Sequence, residues 1–167
     1  MVGYTKKIRE ISARLLKEGI VEMVIGFRKG TLPMMNEPHF IRHPEDAEKL
    51  VWDGNCGINL ANYLTDRKEK IGIIAKGCDS RNIITHIIEN KIQRDQLFIV
   101  GVPCKGMIDR HRIHSMSAKE IKEVVEEEEN VIIKGEGFEQ ILKKRDILVK
   151  STTRKSSKTK LKTLKMI

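Results

Sequence analysis

Three cysteines, Cys56, Cys78 and Cys104, are the residues of this 167-residue chain best suited to redox or metal chemistry. Cys78 stands in Lys76-Gly77-Cys78-Asp79-Ser80-Arg81, Cys104 in Pro103-Cys104-Lys105-Gly106, and Cys56 in the permissive turn Gly54-Asn55-Cys56-Gly57. An odd cysteine count in a chain expected to sit in a reducing compartment argues against a disulfide framework, which leaves reactive or metal-bound thiols. The competing reading is that free cysteine is often a small buried hydrophobe. No CxxC spacing is present, so spacing alone specifies no metal.

The elements around two of these thiols place them together. Residues 71–75 form a short apolar run suited to a strand. Residues 82–90 carry Ile83, Ile84, Ile87 and Ile88 at helical spacing, and residues 97–102 form a second apolar strand. Strand, helix and strand over some 30 residues is a βαβ unit, which makes the two strands parallel and puts their carboxyl ends at one edge of the sheet. Ligands of open α/β sheets bind at that edge, and Cys78 and Cys104 both follow a strand there. The segment from Gly77 to Arg81 leads straight into the helix, whose first N–H groups lack partners, and Lys76 and Arg81 add positive charge on either side, so a phosphate or pyrophosphate of a flavin-type cofactor is stabilised there. Ordinary capping by Asp79 and Ser80 explains the same residues without a ligand. The segment is not a GxGxxG fingerprint, and it gives no support to dinucleotide binding of that kind.

Outside this unit the pattern predicts a helix through Ile8, Ile11, Leu15 and Leu16 that stops at Gly19, followed by a strand over residues 20–25. Residues 26–38 hold two glycines and two prolines and read as a long loop, which puts Arg28 and Lys29 near a ligand. Met34 and Met35 in that loop either line an apolar pocket or simply pack it. Pro44, Glu45 and Asp46 start a helix towards Trp52, and residues 59–64 suggest a second short one. His39, His43, His86, His111 and His114 reproduce no zinc spacing and receive no catalytic role. Asp109, Arg110 and Arg112 suit a helix start. Beyond Ser115, Ile121, Glu123 and Val125 face Val131 and Ile133 in an expected hairpin whose acidic tip, 126–129, is solvated, although Ser117 and Glu120 also fit a helix-capping box. Gly135 and Gly137 then mark a turn before residues 138–142.

With 40% hydrophobic residues the chain has apolar material for one α/β domain over residues 1–150. The start of the chain is rich in charge where a signal peptide would be apolar, and no run approaches a membrane span, so a cytoplasmic protein without membrane insertion is expected. The net charge of +9 is uneven: residues 151–167 carry six basic and no acidic residues, leaving +3 for the rest. That Ser/Thr/Lys-rich segment has the composition of a disordered tail. Aromatic residues make up only 4% of the chain, which disfavours stacking on single-stranded nucleic acid. Nucleic-acid binding is therefore not expected, apart from salt-sensitive attraction of the tail for polyanions.

The cysteine strings resemble a known family. Residues 75–81, Glu89-Asn90-Lys91-Ile92 and Ile99-Val100-Gly101-Val102-Pro103-Cys104 carry the likeness, with Val24-Ile25-Gly26-Phe27-Arg28-Lys29-Gly30-Thr31-Leu32-Pro33 and Val51-Trp52 before Cys56. Together they look like the beta-subunit family of deazaflavin-coenzyme (factor 420) hydrogenases and dehydrogenases, which includes formate dehydrogenase beta subunits and related iron-sulfur proteins of anaerobes. The resemblance covers roughly residues 5–148. It implies an electron-transfer subunit with a 4Fe-4S cluster and often FAD, working with other subunits of a redox complex and with a soluble electron carrier. By position it implies Cys56, Cys78 and Cys104 as cluster ligands, and Lys76, Gly77, Ser80 and Arg81, with Arg28 and Lys29, near a cofactor. Relatives continue after Leu148 into a CxxC motif, whereas here Val149 leads into the basic tail, as a truncated or frame-altered end would. A fourth cysteine ligand is thus lacking. A cluster-free binding or regulatory module on the same fold is the alternative.

Overall fold

The computed structural model describes residues 2–116, 120–127 and 129–149. The expected tail at 151–167 and most of the alternative capping box at 117–120 lie outside them. Helix α1 spans Val2–Lys17. Its apolar stripe ends where Gly19 takes a left-handed φ of 64°, and Ile20 N–H turns back to the Leu15 carbonyl. That turn uses Ile20 and Val21, so strand β1 runs over Met23–Lys29 rather than 20–25. The expected loop after it is a correction of larger scale. Arg28 and Lys29 close β1, and Asn36–Ile41 forms β2, paired antiparallel with Val24 to Lys29 of β1. Pro38 disguises β2 in the sequence but is tolerated because β2 is an edge strand.

Two short 3₁₀ helices, Pro44–Lys49 and Leu60–Tyr63, sit close to where acidic and capping residues predicted helices. The βαβ unit follows as strand β3, Ile71–Ala75, helix α2, Gly77–Ile88, and strand β4, Leu97–Gly101. Helix α2 starts five residues before the expected 82, so Cys78, Asp79, Ser80 and Arg81 form its first turn instead of a loop. The main sheet has the order β2-β1-β3-β4, with β1, β3 and β4 parallel and β2 antiparallel. All five residues of β3 are buried, as a strand covered on both faces requires. Only part of the expected apolar helix face is covered: Ile83 is buried and Ile87 half-buried, whereas Ile84 and Ile88 are 55% and 74% exposed. Four-residue spacing from Asp79 through Ile83 to Ile87 gives α2 a narrow inner stripe.

The remaining elements are strand β5, Met107–Ile108, helix α3, Arg110–Met116, strands β6, Ile121–Glu126, β7, Asn130–Gly135, and β8, Phe138–Lys143, the short helix α4, Lys144–Ile147, and strand β9, Leu148–Val149. Asp109 caps α3 by accepting the Arg112 N–H at 3.1 Å. The expected hairpin is present as β6 and β7, extended by β8 into a three-stranded antiparallel sheet. An irregularity between Ile121 and Glu123 shifts the alternation, so Val124 rather than Val125 meets the core. Met34 joins Ile108, Ile113, Ile121, Val131, Ile133 and Ile147 in this second core, and with Met35 it also lines a small cavity beside Gly54 and Ile108, so both expected roles are met. The acidic tip is not wholly solvated. Glu126 is half-buried with a largely covered side chain, accepts the Gly54 N–H and pairs with Lys144 at 2.7 Å. Among the described residues no helix is long and apolar enough to cross a membrane.

Glu126 and Ile108 thus clamp the turn that carries Cys56, and Gly54 is the point of contact. A Cβ on Gly54 would stand 2.7 Å from Ile108 Cγ1 and 3.1 Å from Glu126 Oε2, whereas one on Gly57 meets nothing within 4 Å. Gly54→Ala should therefore lower stability by about 1–3 kcal/mol through overpacking. Gly57→Ala should stay within about 0.5 kcal/mol of the parent. Equal urea midpoints for the two variants would refute the clamp.

Candidate functional site

The carboxyl ends of β1, β3 and β4 share one edge of the sheet, fixed by the registers Ile25 with Ile73 and Ala75 with Gly101. Val102 N–H continues that pairing to the Ala75 carbonyl at 2.9 Å, so the chain leaves both strands side by side. Cys78 then emerges on the exposed first turn of α2, and Cys104 lies half-buried beyond β4. The two thiols lie close enough for charge on Cys104 to add to the forces on Cys78. Burial first, and the Asp79 carboxylate second, hold the Cys78 thiol above its ordinary range. Cys78 is thus a protonated, accessible thiol at neutral pH and not an activated nucleophile.

Cys56 occupies a different environment. Its side chain is in the main core, and Asn36 Nδ2 donates to its sulfur at 3.3 Å while Sγ donates towards the Val51 carbonyl at 3.9 Å. Asp53 shapes the turn by accepting from Asn36 Nδ2 and Asn55 N–H, each at 2.7 Å. Burial, then the nearby Asp53 carboxylate, push the Cys56 thiol up to about 12. The Cys56 sulfur is thus enclosed within the main core.

Lys76 also points inward, away from any ligand at the edge. It is 2% exposed, donates from Nζ to the carbonyls of Cys56 at 3.0 Å and Ile58 at 2.9 Å, and pairs with fully buried Asp79 at 3.1 Å. The ammonium also lies 5.0 Å from the Phe27 ring centre and 5.8 Å from that of Trp52. Asp79 Oδ2 in turn accepts the Lys76 backbone N–H at 2.9 Å, which starts α2. Ser80 Oγ donates to the Lys76 carbonyl at 3.1 Å. Arg28 bonds Glu37 across the hairpin at 2.6 Å, and Lys29 ends the same strand exposed to water. The structure therefore brings Cys78, Cys104, Gly77, Arg81 and Lys105 to the open edge. It takes Lys76, Ser80 and Cys56 into the scaffold. The buried roles of Asn36 and Asp79 had no signal in the sequence beyond the Asp79 position three residues into a helix.

Among the described residues no three His, Cys, Asp or Glu side chains converge so as to hold a metal ion, and a 4Fe-4S cluster normally takes four thiolates. The described residues of a single chain do not fit a complete cluster. A flavin phosphate finds a partial match: a Cβ built on Gly77 meets nothing within 4 Å, so the start of α2 is open to an anion beside exposed Arg81.

No family model matches the sequence. The chain is 29% identical over 99 residues to the F420-dependent formate dehydrogenase 1 subunit beta of Methanococcus maripaludis, a stretch that covers 56% of this chain and 25% of that protein. Among solved structures, a chain of the xenon-derivatised F420-reducing nickel-iron hydrogenase complex from Methanosarcina barkeri superposes with a TM-score of 0.62 at 14% identity. That match covers 84% of this chain and 54% of the other, and it shows a shared fold. The chain spans about a quarter of the formate dehydrogenase subunit and about half of the hydrogenase chain.

Two measurements check this geometry. Iodoacetamide should modify Cys78 first and Cys104 next, with Cys56 reacting only in denaturant; early modification of Cys56 in the folded protein would contradict its burial. The pH dependence of stability follows the same thiol. The unfolded chain releases the Cys56 proton near 9.0 and the folded chain near 12, so the thiol's contribution is intact below about 9 and lost as pH rises from there. Urea midpoints should fall between about pH 8 and about pH 10.5 more steeply for the parent than for Cys56→Ala.

Proposed function

We propose that this chain is the α/β domain of an electron-transferring subunit in an oxidoreductase complex of the hydrogenase or formate dehydrogenase kind. Its role is to hold an iron-sulfur cluster through Cys78 and Cys104 and to pass electrons between a redox partner and a soluble carrier of the deazaflavin type. The observation that carries this reading is the pairing of β3 with β4, which sets two thiols at the ligand-binding edge of a parallel sheet. The local identity to a formate dehydrogenase beta subunit and the fold shared with a hydrogenase chain support it. A cluster supplies single-electron transfer; the protein supplies thiolates, shielding and charge. Exposed Arg81 and Lys105 stand beside the thiols and favour the more reduced, more negative state. Where a flavin is also bound, the N–H groups of Gly77 and Cys78 and the Arg81 side chain face its phosphate.

A second reading has its own observation. The enclosed Cys56 thiol and the absence of a three-ligand group among the described residues favour a cluster-free binding module built on the same fold. Anaerobic reconstitution with iron and sulfide separates the two. Under the first reading the parent and Cys56→Ala acquire iron and a broad visible charge-transfer band, and Cys78→Ala and Cys104→Ala lose both. A folded, colourless and iron-free parent would establish the second.

A further inference from the structure

The two edges of the main sheet differ in how they are protected. Strand β2 carries Glu37, Pro38 and His39, residues of the kind that keep a free edge from pairing. Strand β4, at the opposite edge, reads Leu97-Phe98-Ile99-Val100-Gly101, with no charge and no proline, and among the described residues nothing pairs with its outer side. We infer that β4 is the contact between two copies of this chain, which pair antiparallel about a twofold axis at Ile99 and join their main sheets into one. The inference concerns how the chain assembles and does not rest on the redox reading above.

Backbone geometry selects the register. Val102 N–H donates inward to the Ala75 carbonyl, so the groups of Val100 and Phe98 also point towards β3, and those of Leu97, Ile99 and Gly101 point outward. The Leu97 N–H is already held by the Arg94 carbonyl. With the axis at Ile99, each copy's Ile99 N–H meets the other's Ile99 carbonyl, and each Gly101 N–H meets the other's Leu97 carbonyl. A shift of two residues would instead set Pro103, which has no N–H, opposite Leu97.

The side chains suit the same axis. Phe98 is the register partner of Gly72, whose Cβ would lie 3.7 Å from Leu15 of α1, so Phe98 shares the face covered by α1 and Ile99 the face covered by α2. The right-handed crossover from β3 to β4 turns the side of α2 that lies about 100° beyond the buried Ile83 towards β4. That side carries exposed Ile84 and Ile88, so an apolar wall stands beside exposed Ile99. Antiparallel pairing doubles this surface across the joint, sets Ile99 against Ile99 and places exposed Phe98 opposite Val100 of the other copy. The charges are complementary as well. Exposed Asp95, just before β4, comes opposite Pro103 of the other copy and within two residues of its exposed Lys105, so a carboxylate meets an ammonium at each end of the joint.

Sedimentation equilibrium of the full-length chain, without added metal, tests this pairing. The parent is expected to show a reversible monomer–dimer equilibrium. Ile99→Lys sets like charges against each other on the axis and weakens dimerisation about tenfold or more. Ile141→Lys, altered at an isoleucine that is also exposed but lies on β8, leaves it unchanged. Lys105→Glu weakens it about threefold, and adding Asp95→Lys to that variant restores it, because the reversed charges again meet across the joint. Far-ultraviolet circular dichroism checks that each variant is folded, and the charge-reversal pair decides the matter should Ile99→Lys fail to fold. A folded parent that stays monomeric up to about 1 mM overturns the inference. So does a dimer that folded Ile99→Lys leaves intact, or one that the double reversal does not restore.

Discussion

The buried ion pair between Lys76 and Asp79 is the interaction on which the geometry of the edge depends. A charged pair taken out of water is retained only when its remaining donors and acceptors are satisfied. Here the ammonium reaches two backbone carbonyls in the segment after Cys56, and the carboxylate caps the helix that carries Cys78. Removing one partner leaves the other charge buried alone, a loss of about 3–5 kcal/mol in comparable cases. One pair therefore ties together the end of β3, the start of α2 and the turn at residues 53–57. The aromatic faces of Phe27 and Trp52 complete the enclosure, which is why a lysine flanking a candidate phosphate site does not reach it.

This arrangement divides the three cysteines by environment. Helix α2 begins with Gly77 and turns Cys78 outward because Asp79 must turn inward to meet Lys76. Neighbouring positions on a helix cannot share a direction, so the burial of Asp79 is a cause of the exposure of Cys78. The turn holding Cys56 is constrained from the other side, by Asp53 and Asn36 within the main core and by Glu126 from the second one. Its sulfur is consequently part of the wall that supports the edge.

The legible part of the fold is the part with strong periodicity. Ile71–Ala75 reads as a buried strand, and the second apolar run, 97–102, differs from the observed Leu97–Gly101 by a single residue at its end. From these two strands alone the convergence of Cys78 and Cys104 follows. Strand β2 was hidden by Pro38 and by its polar neighbours, which an edge position accepts and a pattern search rejects. The early start of α2 was hidden because Gly77, Asp79 and Ser80 are turn formers unless a side chain reaches back to the preceding N–H, as Asp79 does. The direction of Lys76 was illegible for a different reason. Lysine is almost never fully buried without a partner, and its partners, the Cys56 and Ile58 carbonyls, come from a segment about 20 residues away.

The second core explains how the Cys104 loop is held although it has no regular structure of its own. Its first residue, Val102, is bonded to the end of β3, and five residues later Met107, followed by Ile108, pairs with Val149 and Leu148. Between them Gly106 takes a φ of 115° and passes so close to the Val149 carbonyl that a Cβ would lie 2.9 Å from its oxygen. The loop is therefore pinned at both ends, by the main sheet and by the β5–β9 pair, while α2 pins Cys78. Side chains fixed on packed elements keep their spacing whether or not a ligand is present, which is the requirement for a binding site that does not reorganise around its ligand.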